Sequence, residues 1–369
     1  MKRLLFYIVG CMGIAIFLAS PVCAKVTGPC SNCHTMHNSQ GGTNMIFNET
    51  IDGTSGGTHG GGYPSLTRGS CVGCHTGTNN GTNVRPFVYN TSVPTYGTDT
   101  LAGGNFYWVV TDAAKGHNVG GISGMSAESL AKAPGDTGIA TTCTNSCHVT
   151  LLTPDSVGGN PLATGCQGCH LEPKHHAPQQ AADAPALEVN GWFRFLSGHT
   201  GGTSGSGYGV EGIEDADWQY TTSTTDHNEY LGNVGEHDTG NGGMQTLGNT
   251  MTGYCTGCHG NFHLQLDAAV GGNWIRHPSD AVIPDSGEYA SYTSYNPIAP
   301  AARPDLSGYT GPSATVSPGT DLVMCLSCHR AHGSPYDDLL RWEYDGMVAG
   351  GGGTGDGTGC FVCHTEKDG

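Results

Sequence analysis

Bulky apolar residues are scarce in this 369-residue chain, in which Leu, Ile, Val and Phe together number 62. A large conventional core needs more of them, so a Rossmann-type or barrel enzyme is excluded. Basic residues are also few, with 14 Lys and Arg against 31 Asp and Glu and a net charge of −17. This balance argues against a nucleic-acid-binding protein, because phosphate contacts require a positive field. Taken alone, the composition is typical of disordered chains.

Two abundant residue types change that interpretation. The chain contains 61 Gly and 16 Cys. The glycines, together with many Thr, Ser and Asn residues, favour loops and turns. The cysteines imply covalent or metal-centred cross-links, which compensate for a thin apolar core.

The first 24 residues have the features of a secretory signal peptide. Lys2 and Arg3 precede an apolar run over 4–18, and Val22-Cys23-Ala24 offers small residues for cleavage after Ala24. One alternative is a retained membrane anchor, for which the apolar run is short. The other is a lipoprotein signal ending at Cys11, for which the apolar stretch before Cys11 is too short. We predict an exported mature chain of net charge −19, since cleavage removes two basic residues, with no membrane span.

The fourteen cysteines of the mature chain fall into seven pairs, and each pair is followed directly by His. Six pairs have the spacing Cys-x-x-Cys-His: Cys30/Cys33/His34, Cys71/Cys74/His75, Cys166/Cys169/His170, Cys255/Cys258/His259, Cys325/Cys328/His329 and Cys360/Cys363/His364. The seventh, Cys143/Cys147/His148, has one more residue between its cysteines.

This spacing is the attachment motif of c-type haem. The two thiols add to the haem vinyl groups, and the following His reaches the iron as the proximal ligand. Disulfides and zinc knuckles are the alternatives, but neither requires a His after every pair, and zinc needs a second pair at a matching distance. For Cys143 and Cys147 a small disulfide loop is the alternative. We predict seven haems, held by all fourteen cysteines and by proximal His34, His75, His148, His170, His259, His329 and His364.

With these motifs the chain resembles the multihaem c-type cytochromes of bacteria that respire metals and other extracellular acceptors. The segments CHTMH at 33–37, KGHNV at 115–119, WIRHPSD at 274–280 and CHRAHG at 328–333 add to the resemblance. They are similar to Gly-rich, extracellular members, some of which form filaments. The resemblance implies a protein of the periplasm, the outer-membrane surface or the cell exterior. It also implies redox-partner cytochromes or extracellular acceptors as partners, and self-assembly into a filament.

Eleven further histidines are enough to give every iron a second imidazole. A His three or four residues after a proximal His lies on the same side of that haem, so His37, His332 and His263 are predicted to ligate neighbouring haems. The other distal candidates are His117, His176, His199 and His277, with His175 and His227 in reserve. His175 and His176 are adjacent, and it stays open whether both are ligands, each to a different haem. The methionines are interpreted as packing at haem edges.

These features predict a mostly irregular, haem-cored fold in which short α-helices carry the motifs and a few small β-hairpins occur. Further helices are expected over 125–133 and 182–196, and hairpins near 86–90 and 105–110. The mature chain 25–369 is treated as one heptahaem domain with sub-units 25–135, 136–250 and 251–369. The acidic run Glu214-Asp215-Ala216-Asp217 is a weak calcium candidate, and a solvated turn is the commoner role for such a run.

Two functions compete on this sequence. The first is electron transfer through seven haems, with no catalytic residues. The alternative is a multihaem reductase of a small nitrogen or sulfur compound such as nitrite or hydroxylamine, which needs an iron with a vacant position. No motif replaces the proximal His with Lys, and the number of histidines suffices to fill every position. Electron transfer is therefore the preferred hypothesis.

The intact mass of the exported protein tests the number of haems. We expect the mass of chain 25–369 plus seven haems, because all fourteen mature cysteines lie in motifs. A mass with six haems, together with an oxidised Cys143–Cys147 pair, would refute the seventh site.

Overall fold

The computed structural model describes most of the motif segments and the C-terminal third of the chain. The described residues are 26, 28–37, 39–45, 64–95, 101–125, 151, 165–170, 173, 175–176, 192–196, 209–234, 249–256, 259, 277–350 and 357–367. The predicted signal peptide, the whole motif of Cys143, Cys147 and His148, and three further candidates (Cys258, His199 and His263) lie outside this part, as does almost all of the helix predicted over 125–133.

Regular secondary structure is short throughout the described residues. The α-helices are α1 (Cys71–His75), α2 (Tyr107–Thr111), α3 (Met251–Thr256) and α4 (Cys325–Cys328). The strands are β1 (Ser39–Gln40), β2 (Thr43–Asn44), β3 (Gly212–Ile213), β4 (Glu229–Tyr230), β5 (Ala281–Val282) and β6 (Leu322–Val323). They confirm the predicted irregular fold class. None of the helices described is long and apolar enough to span a bilayer.

Each described motif is built on a single helical turn. Helices α1 and α4 start at a motif cysteine, α3 contains Cys255, and 3₁₀ turns cover Cys30–Asn32, Gly165–Gly168 and Gly359–Val362. In five motifs the backbone N–H of the His donates to the carbonyl of the first Cys, at 2.8–3.1 Å. Residues three and four apart share one face of such a turn. The turn therefore presents the thiols and the imidazole of each motif together.

The strands form three two-stranded antiparallel sheets. β1 and β2 are a local hairpin with the register Ser39↔Asn44, and its turn residues Gly41 and Gly42 have φ of +59° and +81°. This is the left-handed backbone that a tight hairpin turn requires and that glycine adopts without strain. The other two sheets join distant segments, with registers Gly212↔Tyr230 and Ile213↔Glu229 for β3–β4, and Ala281↔Val323 and Val282↔Leu322 for β5–β6.

The hairpins predicted near 86–90 and 105–110 are wrong. The second segment forms helix α2, and the first makes only an isolated bridge between Tyr89 and Thr76. Asn105 explains the helix start, because its Oδ1 accepts from the Tyr107 backbone N–H at 3.0 Å. The fully buried Val109 then packs with Phe106 in a small apolar cluster. A short apolar run is compatible with either a strand or a helix, so the sequence alone could not decide.

The apolar residues gather in three small clusters rather than one core. One centres on Val210, Tyr230 and Leu322, the second on Ile283 and Tyr295, and the third on Val109. Motif cysteines pack against all three: Cys169 and Cys255 in the first, Cys328, Cys360 and Cys363 in the second, and Cys166 in the third. The few bulky residues are thus placed where the motifs meet.

A buried ionic network joins the middle of the chain to its C-terminal third. The Arg303 side chain is 1% exposed, and its Nε donates to Glu229 Oε2 at 2.8 Å while another nitrogen contacts the Asp321 carboxylate. Burial opposes ionisation of Glu229, but hydrogen bonds from His227 and Arg303 hold its pKa below the usual value. Charges this deeply buried are stable only when paired and hydrogen-bonded, so the network fixes the relative placement of these segments.

A second junction depends on close contact between three glycine backbones. Gly333 forms bridges with both Gly104 and Gly116, and the Asn105 N–H donates to the Gly333 carbonyl at 3.0 Å. A Cβ on Gly104, whose φ is +83°, would overlap that carbonyl oxygen. The junction presses segment 103–117 against segment 330–334, and each of these segments carries a distal candidate histidine.

The glycine junction predicts a large difference between two alanine substitutions. Gly104→Ala should destabilise the protein by about 3 kcal/mol or more, since it adds both an overlap and an unfavourable φ. Gly308→Ala is the matched control, because Gly308 is exposed and a Cβ there meets nothing within 4 Å. Denaturant unfolding of the haem-loaded variants, followed by circular dichroism, measures the effect. Equal midpoints for the two variants would contradict it.

Candidate haem-ligand site

Five motif histidines each face a second imidazole across a nearly constant gap. The ring centroids are 6.1–6.4 Å apart in every pair: His34–His176, His75–His175, His170–His332, His259–His117 and His364–His277. Each pair joins one motif histidine to one histidine from elsewhere in the chain. The interplanar angles range from 18° to 82°.

A gap of this size is too wide for ring contact and fits a metal ion between the rings. By contrast, His227 stacks on Tyr295 with centroids 3.6 Å apart. Imidazole nitrogens bind metals at about 2 Å and lie about 1.2 Å from the ring centroid, so two ligands on opposite sides of one metal give about 6.4 Å. Rotation of each ring about its metal bond leaves that distance unchanged, which explains the variable angles. The pairs therefore fit the two axial positions of a haem iron.

The other ring nitrogen of most motif histidines is held by a backbone carbonyl. Nδ1 lies 2.8 Å from Ser65 O in His34, 2.8 Å from Pro86 O in His75, 3.0 Å from Arg194 O in His170 and 2.7 Å from Asp338 O in His329. A carbonyl only accepts, so Nδ1 carries the hydrogen and the lone pair is on Nε2. Such partners fix the orientation and the tautomer of a metal-binding histidine.

Three of these carbonyls belong to residues with an unfavourable backbone conformation. Ser65, Arg194 and Asp338 have φ of +58°, +47° and +58°, and the residue after each is also left-handed. Non-glycine residues rarely adopt this region, and such strain is typically concentrated at functional sites. The carbonyl that holds the imidazole is therefore presented by a strained turn. None of the three is Gly, so no local sequence pattern indicates these turns.

The non-motif histidines are positioned in a similar way. His117 Nδ1 donates to Ala331 O at 2.7 Å, and His277 Nδ1 donates to Pro278 O at 2.8 Å. The rings of His175 and His332 pack against Phe195 and Phe106, with centroids 5.0 and 4.8 Å apart. Burial lowers the pKa of His332 to about 3, and the neighbouring His170 adds to the effect. A neutral imidazole, which is the form that binds metals, is thereby favoured.

The motif thiols also fit a covalent attachment better than a zinc site. Burial raises the pKa of Cys169 to about 11 and that of Cys328 and of Cys363 to about 12. Zinc binds thiolates, which such surroundings disfavour. A thioether carries no charge and fits an apolar environment.

Disulfides, the other alternative for the motif cysteines, do not form among the residues that the structure describes. The eleven motif cysteines in this part of the chain, none of them in a disulfide, are Cys30, Cys33, Cys71, Cys74, Cys166, Cys169, Cys255, Cys325, Cys328, Cys360 and Cys363.

The second cysteines of the first two motifs, Cys33 and Cys74, depart from the expected apolar, haem-cored setting. Both are half-buried, and neither is among the cysteines packed against the three apolar clusters. Their backbone carbonyls accept instead from the Arg68 N–H at 2.8 Å and from Arg85 Nε at 2.6 Å. The Cys74 thiol is also a weak donor to Gly69 O at 3.9 Å. The donor to Cys33 is thus a backbone amide, whereas the donor to Cys74 is the Arg85 guanidinium. The thioether bonds at these two positions, as at the other motif cysteines, stay predictions from the motif spacing.

Among the predicted distal ligands, the structure brings His117, His176, His277 and His332 opposite a motif histidine. His332 faces His170 and not its own motif residue, His329, as its spacing suggested. His175, held in reserve, faces His75, so the adjacent residues 175 and 176 serve two different motifs. His37 is exposed. No described imidazole faces His329, and the roles of His37, His199 and His263 stay predictions.

The other reserve ligand, His227, is placed in a different environment. Its Nδ1 lies 3.1 Å from Ser223 O and its Nε2 lies 3.3 Å from Glu229 Oε1. The ring is fully buried between this network and Tyr295. Since both nitrogens are engaged, the structure contradicts the reserve assignment and gives His227 a structural role.

The motifs that the structure describes contact one another in the order of the chain. His175 and His176 link the motifs of Cys30 and Cys71. Val72 and Cys166 share an apolar cluster that joins the motifs of Cys71 and Cys166, and Tyr254 OH donates to Cys169 O between the motifs of Cys166 and Cys255. The contacts continue from Cys255 to the Cys325 motif, where the Cys325 N–H donates to Thr252 Oγ1 at 3.2 Å. The motifs of Cys325 and Cys360 meet in the second cluster, where Cys328 packs with Cys360 and Cys363.

The acidic run at 214–217 makes internal hydrogen bonds. Asp215 Oδ2 accepts from the Gln219 N–H at 2.7 Å, and Asp217 accepts from the backbone of Tyr220 and Thr221. Burial raises the pKa of Asp215 to about 7, and its hydrogen bond with Asp217 contributes. The carboxylates thus cap a turn, which is the commoner of the two roles considered for this run.

Comparisons with known proteins agree with the motif pattern. A family model described as the doubled CXXCH motif matches residues 318–369. The C-type cytochrome OmcS of Geobacter sulfurreducens is 28% identical over an alignment of 377 positions, gaps included. The alignment covers 85% of this chain and 78% of OmcS.

Two solved structures are similar over most of their length. The outer membrane cytochrome S filament of Geobacter sulfurreducens is 22% identical with a TM-score of 0.47, covering 87% of this chain and 85% of that one. The OmcS nanowires from the same organism are 19% identical with a TM-score of 0.46, covering 94% and 92%.

Carbon monoxide binding tests the imidazole pairs directly. Carbon monoxide should leave the Soret band of the reduced wild-type protein nearly unchanged. In His332→Ala one iron should lose its second ligand and bind carbon monoxide, so the Soret absorbance of one haem should shift. His227→Gln is the control, since both ring nitrogens of His227 make hydrogen bonds within the protein. A shift with His227→Gln, or none with His332→Ala at full haem content, would contradict the assignment.

Proposed function

Since this chain is a multihaem c-type cytochrome, we propose that it carries electrons along a line of seven covalently bound haems and transforms no substrate. The observation that carries the proposal is the set of five imidazole pairs at 6.1–6.4 Å, each of which would hold one haem iron from two sides. Haem supplies one-electron chemistry when bound, as its iron alternates between the ferrous and ferric states. The protein supplies spacing, ligands and burial.

The motif cysteines would hold the haems at five paired positions and at two further ones. His329 Nδ1 is held by a backbone carbonyl, as in the paired His34, His75 and His170, which supports a haem there. Its distal ligand is proposed to be His37, His199 or His263. For the motif of Cys143, Cys147 and His148 the support is the sequence pattern alone.

The neighbouring positions of the pairs support transfer along the line. Adjacent pairs are joined by consecutive residues, by a shared apolar cluster or by a direct hydrogen bond. The side chains between them, such as Phe106, Phe195 and Tyr254, are packed and aromatic. Short steps between rigidly held neighbours are what an electron carrier needs, and no large movement of the chain is required.

We further propose that the protein acts outside the cytoplasm and assembles with copies of itself. The predicted signal peptide supports export, and the relatives bear names that refer to an outer membrane cytochrome and to filaments or nanowires. Met36 is 74% exposed beside the exposed His37, and Leu66, whose carbonyl accepts from the Thr35 N–H at 2.9 Å, is 52% exposed. Filaments in native material viewed by electron microscopy would agree with assembly, and isolated globules would count against it.

The reductase alternative requires a vacant iron position in contact with substrate. In the described residues five motif histidines each face a second imidazole, so an iron held by both rings of a pair would have no vacant position. No observation on the remaining positions favours substrate binding.

Stopped-flow oxidation of the fully reduced protein separates the two functions. Ferric chelates or an oxidised soluble c-type cytochrome should reoxidise it rapidly, because outer-sphere transfer needs no open site. Nitrite and hydroxylamine should leave it reduced on the same timescale, and His332→Ala provides a control with one opened iron. Rapid multi-turnover reduction of nitrite by the wild type would overturn the carrier function.

A further inference from the structure

One motif histidine differs from the others in the group that holds its outer nitrogen. His364 Nδ1 lies 3.3 Å from the Glu288 carboxylate oxygen Oε1. The corresponding nitrogens of His34, His75, His170 and His329 are each held by a neutral backbone carbonyl. Among the described motif histidines with an identified Nδ1 partner, His364 therefore has the anionic one.

The carboxylate is built into place. Glu288 lies in the 3₁₀ turn Gly287–Tyr289, and its backbone carbonyl accepts from both the N–H and the hydroxyl of Thr365, the residue after His364. The Thr365 N–H donates at 3.1 Å. The Glu288 side chain is 17% exposed, so it is shielded from much of the solvent. Its position is thus fixed by the same segment that carries the imidazole.

A nearby cation offsets part of this charge. Lys367 Nζ lies 3.6 Å from the second carboxylate oxygen, Oε2, and its side chain is 57% exposed. An exposed ammonium is strongly hydrated and screened, so it neutralises the carboxylate incompletely. The hydrogen bond to the imidazole is made by the other oxygen, Oε1.

We propose that Glu288 is a positioning residue that lowers the reduction potential of the haem on His364 below the value a carbonyl partner would give. The inference rests on the proposed function, because it requires a haem on that histidine. A carboxylate accepting from Nδ1–H raises the basicity of the imidazole, and hydrogen bonds of this kind tune the metal. A more basic ligand and a nearby negative charge both favour the ferric state.

The position of this haem gives the effect a direction. The Cys360 motif is the last of the chain, and its cysteines pack in the same apolar cluster as Cys328 of the preceding motif. Electrons move spontaneously toward higher potential. Lowering the potential of the haem on His364 therefore increases the driving force for electron transfer from it to the neighbouring haem of the Cys325 motif.

Three variants of the full, haem-loaded protein test the assignment by spectroelectrochemical titration. Glu288→Gln keeps the hydrogen-bond acceptor and removes the charge, so one haem's share of the absorbance change should shift to higher potential. Glu366→Gln is the matched control, since Glu366 is exposed and two residues from His364. Lys367→Met should shift the same component to lower potential, and in the Glu288→Gln background its effect should shrink.

The outcomes separate failure of this inference from failure of the proposed function. Intact mass is measured on each variant, because loss of one haem would show an attachment fault rather than a change in potential. A full haem content with unchanged potentials in Glu288→Gln, or shifts equal to those of Glu366→Gln, would overturn the role of Glu288. Lys367→Met changes neither the His364 imidazole nor the hydrogen bond that it makes. An unchanged haem potential in Lys367→Met would therefore independently overturn the role of Glu288. Open iron positions in the wild type would instead refute the carrier function.

Discussion

The gap between facing imidazoles is the constraint on which the rest of the structure depends. Five pairs keep centroids 6.1–6.4 Å apart although their interplanar angles vary widely. Ring packing would produce the shorter separation seen for His227 and Tyr295. Two imidazoles stay at metal-ligand distance only when the backbone that carries each of them is held in place. The helical turn of each motif fixes one backbone, and the glycine junction, the adjacent pair 175–176 and Pro278 fix the others.

Ligation of this kind also compensates for a thin apolar core. Each pair joins two segments far apart in the sequence, so a metal between them would act as a cross-link comparable to a disulfide. The three apolar clusters are small, and motif cysteines pack against each of them. Strained turns at Ser65, Arg194 and Asp338 are tolerated because their carbonyls orient ligands. Stability and function therefore depend on the same contacts.

The chemistry of the site could be predicted from the sequence, but not its full geometry. Regular spacing of Cys and His identified the motif residues, and the position of His332 three residues after His329 indicated ligation of a neighbouring haem. The sequence ranks His175 and His227 alike as reserve ligands, because neither the partner of an imidazole ring nor the hydrogen bonds of its two nitrogens can be predicted from the sequence alone. Helix α2 was predicted as a hairpin, since a five-residue apolar run fits either period. Glu288 is 76 residues from His364 in sequence, and no local pattern links them.

The axial ligands of every iron can be identified in one experiment, near-infrared magnetic circular dichroism of the fully oxidised protein. The charge-transfer band of low-spin ferric haem reports the chemical nature of its two axial ligands. We expect a single class of band, that of two histidines, with an intensity that matches the total haem content and no high-spin component. A high-spin component, or a second band from histidine–methionine ligation amounting to several haems, would contradict the central role given to the imidazole pairs.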